Sequence, residues 1–534
     1  MSTSSDSVAP VWGQRTNQTA TVARNVASRY MVIGIDALIG LLVLPFNIAH
    51  LGQSAWGLWM LTTSISSYFT VVDLGYGGSI TKYVATYRAR RDPQGINEIT
   101  STLFVLFAAL GAAAYGIFVL VAFNVEHVFN LSAGQTETAR VLLLITGTQV
   151  ALGLPFGVFG GVVNGFQRYD VNNVVSIGTS LIVAAVNVMV LWLGYGLVSV
   201  VLATTLVRLG SKLIYRLNAY RVFPLLSVRP SLFRIARLRE VSGFSIYVSI
   251  IDWSNRLNFA SDALIIGAFL SPAAVALWAV PRRLAELSKS LTNPFNTVLL
   301  PIVVDSDTRQ RADRLQTILI DGTRLSLFLV TPIATALFLM AQPLIRAWVG
   351  PDFAASVPIA QILAIVVIFR VGNAPSSVLL KGAGRHKLLA VASAGGALAN
   401  IGLSLLWIRS YGLPGLAIAT LIPIAAVTLF VVFPAACRLA GVGIVTGLRQ
   451  AIWPVLWPLP VMIAVVKALR AVLPTSLPFV MLAAAAGALC YVAVFVAFAV
   501  GRAERANYLL KIRAAARWRQ PMGQPKLPRP TQVV

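Results

Sequence analysis

A chain of 534 residues that is 57% hydrophobic and only 11% charged has too little polar surface to clothe a soluble globule, and its mean hydropathy of +0.78 places it in the membrane. The formal net charge of +25 is scattered among short loops, with no aromatic-interleaved basic surface, which argues against nucleic acid as a partner. Two cysteines, Cys437 and Cys490, make no disulfide framework, and no Cys/His spacing offers a metal site.

The polar segment 1–23 leads into a full-length apolar run with no small-residue cleavage site, so it reads as a cytoplasmic segment and not a signal peptide. Apolar runs then follow at 27–49, 55–73, 99–123, 138–162, 173–193, 197–215, 241–266, 272–300, 315–340, 357–380, 388–408, 413–435, 451–471 and 478–500. Each of these fourteen is long enough to cross a hydrocarbon core as a helix. Basic side chains gather in every second loop: Lys82 to Arg91, Arg168, Arg208 to Arg239, Arg309 to Arg314, Lys381 to Lys387, then Arg438 and Arg449. The loops between hold few, Arg346, Arg409, Lys467 and Arg470 being the main exceptions. This is the positive-inside pattern, and it predicts both termini in the cytoplasm. The Arg- and Pro-rich segment 501–534 reads as a disordered cytoplasmic tail drawn to anionic membrane lipids.

The chain repeats itself. Leu51-Gly-Gln-Ser-Ala-Trp-Gly-Leu-Trp59 returns as Leu270-Ser-Pro-Ala-Ala-Val-Ala-Leu-Trp278, Gly165-Phe-Gln-Arg168 as Gly382-Ala-Gly-Arg385, and Tyr195-Gly-Leu197 as Tyr411-Gly-Leu413. Three matches in order at nearly one offset indicate a duplicated unit of about 217 residues. Six spans per copy give both copies one orientation, as in transporters with parallel repeats. The expected fold is therefore an all-α polytopic membrane protein with two six-helix bundles, at 24–216 and 241–440. A basic linker at 217–240 joins them, and a further helix pair occupies 441–500.

Charges inside spans are costly in lipid, so each is a functional candidate. In span 7, Asp252, Asn255, Arg256, Asn258 and Asp262 share an arc of roughly 160°. In span 1, Arg29, Asp36 and Asn47 align, with a kink expected at Pro45. Span 8 carries Arg282, Arg283, Glu286 and Lys289, and span 10 carries Arg370. Asp252–Arg256 and Arg282–Glu286 stand at i,i+4, where a structural pair is the alternative to a cavity role. Arg29 is equally readable as an anchor at a helix end. The excess of arginine suits a phosphate or pyrophosphate, because the guanidinium is permanently charged and donates in a fork. Arg256, Arg282, Arg283, Arg370, Arg29, Lys289 and Asn255 are thus candidate substrate ligands. Asp262, Asp36 and Asp252 are candidate ion carriers, Asp262 above all because no cation stands at i±3 or i±4.

Asp73-Leu-Gly-Tyr-Gly-Gly-Ser-Ile-Thr81, Gly165-Phe-Gln-Arg168 and Leu380-Lys-Gly-Ala-Gly-Arg-His-Lys387, taken in order, resemble the oligosaccharide (Wzx-type) flippases of bacterial polysaccharide biosynthesis. Those belong to the multidrug/oligosaccharidyl-lipid/polysaccharide exporter superfamily. The resemblance implies alternating access in the inner membrane. Its substrate would be an undecaprenyl-pyrophosphate-linked oligosaccharide, moved to the outer leaflet for O-antigen, capsule or exopolysaccharide. It also implies traffic with polysaccharide polymerase machinery, and a lipid tail kept between bundles, with spans 13 and 14 as its guide. The glycines at 75, 77 and 78 read as a bend, matched in the second copy by Asn293-Pro-Phe-Asn296.

Two alternatives stand beside this reading. An ion-coupled multidrug exporter shares the architecture, but cationic drugs favour an acidic lumen. A membrane glycan polymerase or ligase needs a large outer loop, whereas the longest here run from Asn124 to Glu137 and from Ala341 to Val357. No G-x-x-x-x-G-K-[ST] occurs, and no cofactor is implied. The drive is either the substrate gradient or an ion.

Overall fold

The computed structural model describes residues 18–69, 76–242, 246–290, 299, 303–305, 307 and 311–499. Among them all regular structure is helical, the solution lipid imposes on backbone that must satisfy its own hydrogen bonds. In chain order the main helices of the first half are α1 (Gln18–Phe69), α2 (Tyr76–Ala89), α3 (Pro93–Phe123), α4 (Ala133–Gly165), α5 (Tyr169–Trp192), α6 (Leu197–Val222) and α7 (Ile235–Ser242). The second half holds α8 (Ile246–Phe269), α9 (Pro272–Ser290), α10 (Ala312–Val349), α11 (Ser356–Gly382), α12 (His386–Ala426), α13 (Ile444–Val472) and α14 (Leu477–Phe498).

Both α1 and α12 contain two crossings, broken at Gly52 (φ 78°) and Gly412 (φ 59°), conformations natural to glycine. Ten described helices are long and apolar enough to span a membrane. Counting α1 and α12 twice, and adding the charge-bearing α8 and α9, reproduces the fourteen expected spans. Helices overrun those spans where the chain leaves the apolar core, so the outer loops are tighter than expected: α10 runs to Val349 and α11 begins at Ser356.

The two bundles pack alike. In the first, α1 lies on α5, α3 on α4, and α4 on α6; in the second, α8 lies on α12, α10 on α11, and α11 on α12. Local devices repeat too. The turns after α4 and α11 place Gln167 (φ 61°) and Gly384 (φ 71°) in the left-handed region, and Arg168 N donates to Val163 O as Arg385 N does to Leu380 O. A Cβ on Gly165 would fall inside contact distance of Val84, and one on Gly382 would meet Val303 in the same way. The Gly165–Arg168 and Gly382–Arg385 motifs are thus sites where helices approach backbone to side chain. The described turns of Gly165–Arg168 and Gly382–Arg385 carry this; residues 70–75 and 291–298 lie outside the described residues.

Two further features position the cavity. The segment after α6 is stitched to the first bundle: Ser227 N donates to Asn97 Oδ1 (2.9 Å), Arg229 N to Ser101 Oγ (3.1 Å) and Arg234 N to Thr102 Oγ1 (3.0 Å). Arg237 pairs with Glu98 at 3.0 Å, and Tyr87 donates to Glu240 (2.8 Å). Burial, then the hydrogen bond to Glu240, pushes the Tyr87 hydroxyl up to about 12. The bundles meet at the end away from the basic turns. There Gly57 lies against the Pro272 carbonyl and Ala276, and Asn130 N donates to Gly267 O (3.0 Å).

The extra helices α13 and α14 pack on α10 through Leu327, Val330 and Met340 against Met462, Val466 and Tyr491. Tyr491 Oη donates to Val455 O (2.9 Å), so its hydroxyl is satisfied inside an apolar seam.

Candidate functional site

Within the basic-end halves of α4, α5 and α6, the first bundle encloses a cavity of about 760 Å³. Its wall is built by helix periodicity. On α6, Arg208, Ser211, Lys212 and Tyr215 recur at three- and four-residue steps and face inward together. Gln149 on α4 and Ser176, Thr179 and Ser180 on α5 supply uncharged hydrogen-bonding groups. Thr205 Oγ1 donates to Gln149 Oε1 at 3.3 Å and helps orient that amide. Asp36 comes from α1 and acts electrostatically on Arg208.

Among the described residues the second bundle reaches into this cavity through one side chain. Arg283 on α9 donates from Nη2 to the Asp36 carbonyl oxygen at 2.9 Å. Its guanidinium lies where a Cβ on Gly40 would stand, so glycine there is what lets the arginine lie across α1. Arg208, Arg282 and Arg283 also line an adjoining cleft of about 420 Å³ between the bundles, with Asn47, Trp59, Ser64 and Trp278. Among the described residues the large cavity therefore faces three cations with one carboxylate, an arrangement suited to a polyanion.

The second bundle's own pocket is different. It measures about 30 Å³, room for little more than a water, and is lined by Asp262, Trp278, Arg282, Glu286, Arg370 and Thr420. Arg282 Nε donates to Glu286 Oε1 at 3.0 Å, the i,i+4 pair anticipated from spacing. Asp262 is 3% exposed, and both Arg282 and Arg370 act on its charge. Its Oδ1 has no hydrogen-bond partner among the described residues. Two cations thus face two carboxylates in a closed space.

Of the sequence candidates, the structure brings Arg282, Arg283, Asp36, Asp262 and Arg370 around the centre of the molecule. Arg29 is exposed near the start of α1 and lines none of these spaces. Asn255 and Arg256 are exposed on α8 and line none either. The side chains of Asp252 and Lys289 lie outside the described residues. Asp262 does have cationic neighbours, supplied by α9 and α11, which its own helix could not reveal.

The charge pattern of the sequence assigned both Arg208 and Lys212 to a basic loop. Both stand inside α6, well before its end at Val222. The signal was present as a stripe of Thr204, Arg208, Ser211, Lys212 and Tyr215 within an apolar span, hidden by the excess of basic residues that follows.

Residues 22–306, more than half of the chain, match the family model described as polysaccharide biosynthesis protein. No curated protein sequence matches. Among solved structures, the chain is similar to the lipid II flippase MurJ in an inward closed conformation: TM-score 0.67, 15% identity, covering 88% of this chain and 98% of that one. It is also similar to a multidrug resistance MATE family transporter of the MOP superfamily in an inward-facing conformation. There the TM-score is 0.61 at 15% identity, over 77% of this chain and 94% of that one. A MOP superfamily transporter from Pyrococcus furiosus with a binding pocket of reverse polarity gives 0.53 at 13% identity over 82% and 99%.

Proposed function

From the premise that the chain belongs to the polysaccharide biosynthesis protein family, we propose that it is a Wzx-type flippase of the MOP superfamily, and we propose its cargo, direction and binding groups. The cargo is an undecaprenyl-pyrophosphate-linked oligosaccharide, and transport runs from the inner to the outer leaflet of the bacterial inner membrane. The basic turns and both termini face the cytoplasm, by the positive-inside pattern.

The observation that carries this reading is the first-bundle cavity, with three cations, one carboxylate and a wall of hydroxyl and amide groups. Hydrocarbon bars a pyrophosphate with its sugars, so the protein must replace their water. Arg283, Arg208 and Lys212 do this for the pyrophosphate. Gln149, Ser176, Thr179, Ser180 and Tyr215 do it for sugar hydroxyls. The lipid tail stays in the bilayer. With the bundles joined at Gly57–Pro272, the loaded cavity lies towards the cytoplasm; parting that contact and closing the basic end exposes it on the other side.

A cationic-drug exporter would require the opposite charge in this cavity, which is why that reading ranks second. The test is deletion in a strain without paralogues, with lipid-linked oligosaccharide assayed for access from each face of the membrane. Trapping on the cytoplasmic face is expected, with loss of surface glycan. Unchanged surface glycan, together with accumulation of a cationic drug, would overturn the proposal in favour of the exporter.

A further inference from the structure

Away from the central cavity, the basic-end portions of α10 and α13 leave an open groove of about 840 Å³ between them. One wall is α10, with Asp313, Gln316, Asp321 and Arg324; the other is α13, with Arg449 and Gln450. Asp321 and Arg324 pair at 2.8 Å. Asp313 and Arg449 are exposed and have no ion-pair partner among the described residues. One wall therefore ends with a carboxylate to spare and the other with a guanidinium.

The surroundings give the depth. Trp453, 63% exposed, stands one turn beyond Arg449, and Val445, Leu448 and Leu456 beside it are exposed as well. An outward tryptophan among outward aliphatics marks the membrane–water boundary, where acyl chains give way to headgroups. Arg311 and Arg314, exposed at the start of α10, lie on the aqueous side. A groove carrying both signs at that level is dipolar across its width. A lipid with only a negative headgroup would leave the Asp313 carboxylate unmatched, whereas a zwitterion can satisfy both walls.

The geometry points to a bound zwitterionic phospholipid in this groove, its phosphate on Arg449 and a primary ammonium on Asp313. The ammonium needs N–H groups, because the Asp313 carboxylate and the Gln316 amide oxygen one turn on accept hydrogen bonds that a trimethylated nitrogen cannot donate. Such a lipid ties the accessory helix pair to the second bundle where α10 and α13 diverge. It is independent of what the central cavity carries.

The test is thermal unfolding of the purified full-length chain with phosphatidylethanolamine, phosphatidylcholine or phosphatidylglycerol added. Phosphatidylethanolamine is expected to raise Tm by several degrees and the other two by much less. Arg449→Gln and Asp313→Asn, both at exposed positions, are each expected to abolish the difference. Native mass spectrometry of the unaltered chain is expected to retain phosphatidylethanolamine over phosphatidylcholine, and this readout stands even where a variant fails to purify. Equal response to all three lipids, a larger response to phosphatidylglycerol, equal retention, or a difference that survives in both variants overturns the assignment.

Discussion

The two bundles share their packing, yet their polar interiors have little in common. Among the described residues, the first holds a wide cavity whose three cations outnumber its one carboxylate; the second holds a closed pocket where two cations meet two carboxylates. What the copies share is backbone: the left-handed residue after α4 and α11, the glycine against a valine, and the order of helix contacts. What the two copies hold in common packs helices, and what differs faces the interior. Uncompensated charge is where a ligand is expected, because an unmatched cation near lipid is costly until an anion joins it.

The largest expected effect comes from testing that asymmetry on adjacent arginines. Arg283 donates across the bundle interface into the unbalanced cavity, whereas Arg282 is already paired with Glu286. Losing a charge-assisted contact to substrate costs about 2–3 kcal/mol, so Arg283→Ala should lower transport by about 10²-fold. Arg283→Lys should recover part of it, since charge survives without the fork. Arg282→Ala should lower Tm more than it lowers transport. Flux of lipid-linked oligosaccharide and unfolding curves, measured on both variants, decide the matter. Equal transport losses at equal Tm would erase the distinction between the two bundles.

A second substitution separates position from charge. Gly40→Ala leaves every cation in place but puts a methyl group where the Arg283 guanidinium lies. That side chain can swing aside, so Tm should hold while transport drops by about tenfold, or about 1.4 kcal/mol. Wild-type flux in Gly40→Ala would mean that the seat of Arg283 on α1 is unimportant.

The fold was legible because lipid leaves few choices: apolar length gives the spans, and the repeat gives their grouping. Even the tight turns announced themselves, since Gly165-Phe-Gln-Arg168 and Gly382-Ala-Gly-Arg385 recur where glycine must meet valine. The site was legible only in part. Arg282, Arg283 and Arg370 stood out as charges inside apolar runs. Arg208 and Lys212 did not, because the basic loop beyond them absorbed the signal. Asp262 looked isolated because its neighbours arrive from α9 and α11, and a helical wheel sees one helix at a time. Arg256 shared the polar arc of Asp262, yet the bundle turns it outward.

Packing equivalence makes a third expectation. Gly165→Ala and Gly382→Ala each force a methyl group onto a valine held between helices, at Val84 and Val303. Over-packing of this kind costs about 1–3 kcal/mol, and the two variants should unfold at similarly lowered temperatures. Differential scanning of both would sharpen the comparison. Tolerance of one and collapse of the other would show that the copies share geometry without sharing its energetic importance.

The smallest expected effect concerns coupling, and it turns on the closed pocket. Asp262 shares a volume of about 30 Å³ with Arg282, Glu286 and Arg370, so uptake of one proton changes the local balance from two against two to an excess of one cation. Little water is available there to screen the change, and Arg282 also borders the interbundle cleft, so the excess is felt where the bundles must move. Asp36 differs, because it faces an open cavity already occupied by three cations. A pH gradient of half a unit is worth about 0.7 kcal/mol per proton, or about threefold in flux if one proton moves per substrate. We expect that threefold response in wild-type vesicles and in Asp36→Asn, and its absence in Asp262→Asn, which mimics the neutral acid while keeping the shape. Loss in Asp36→Asn alone would move the coupling to the first bundle. A response absent from wild type would leave the substrate gradient as the drive, and the balanced charges of the second bundle would then be purely a means of holding α8, α9 and α11 together.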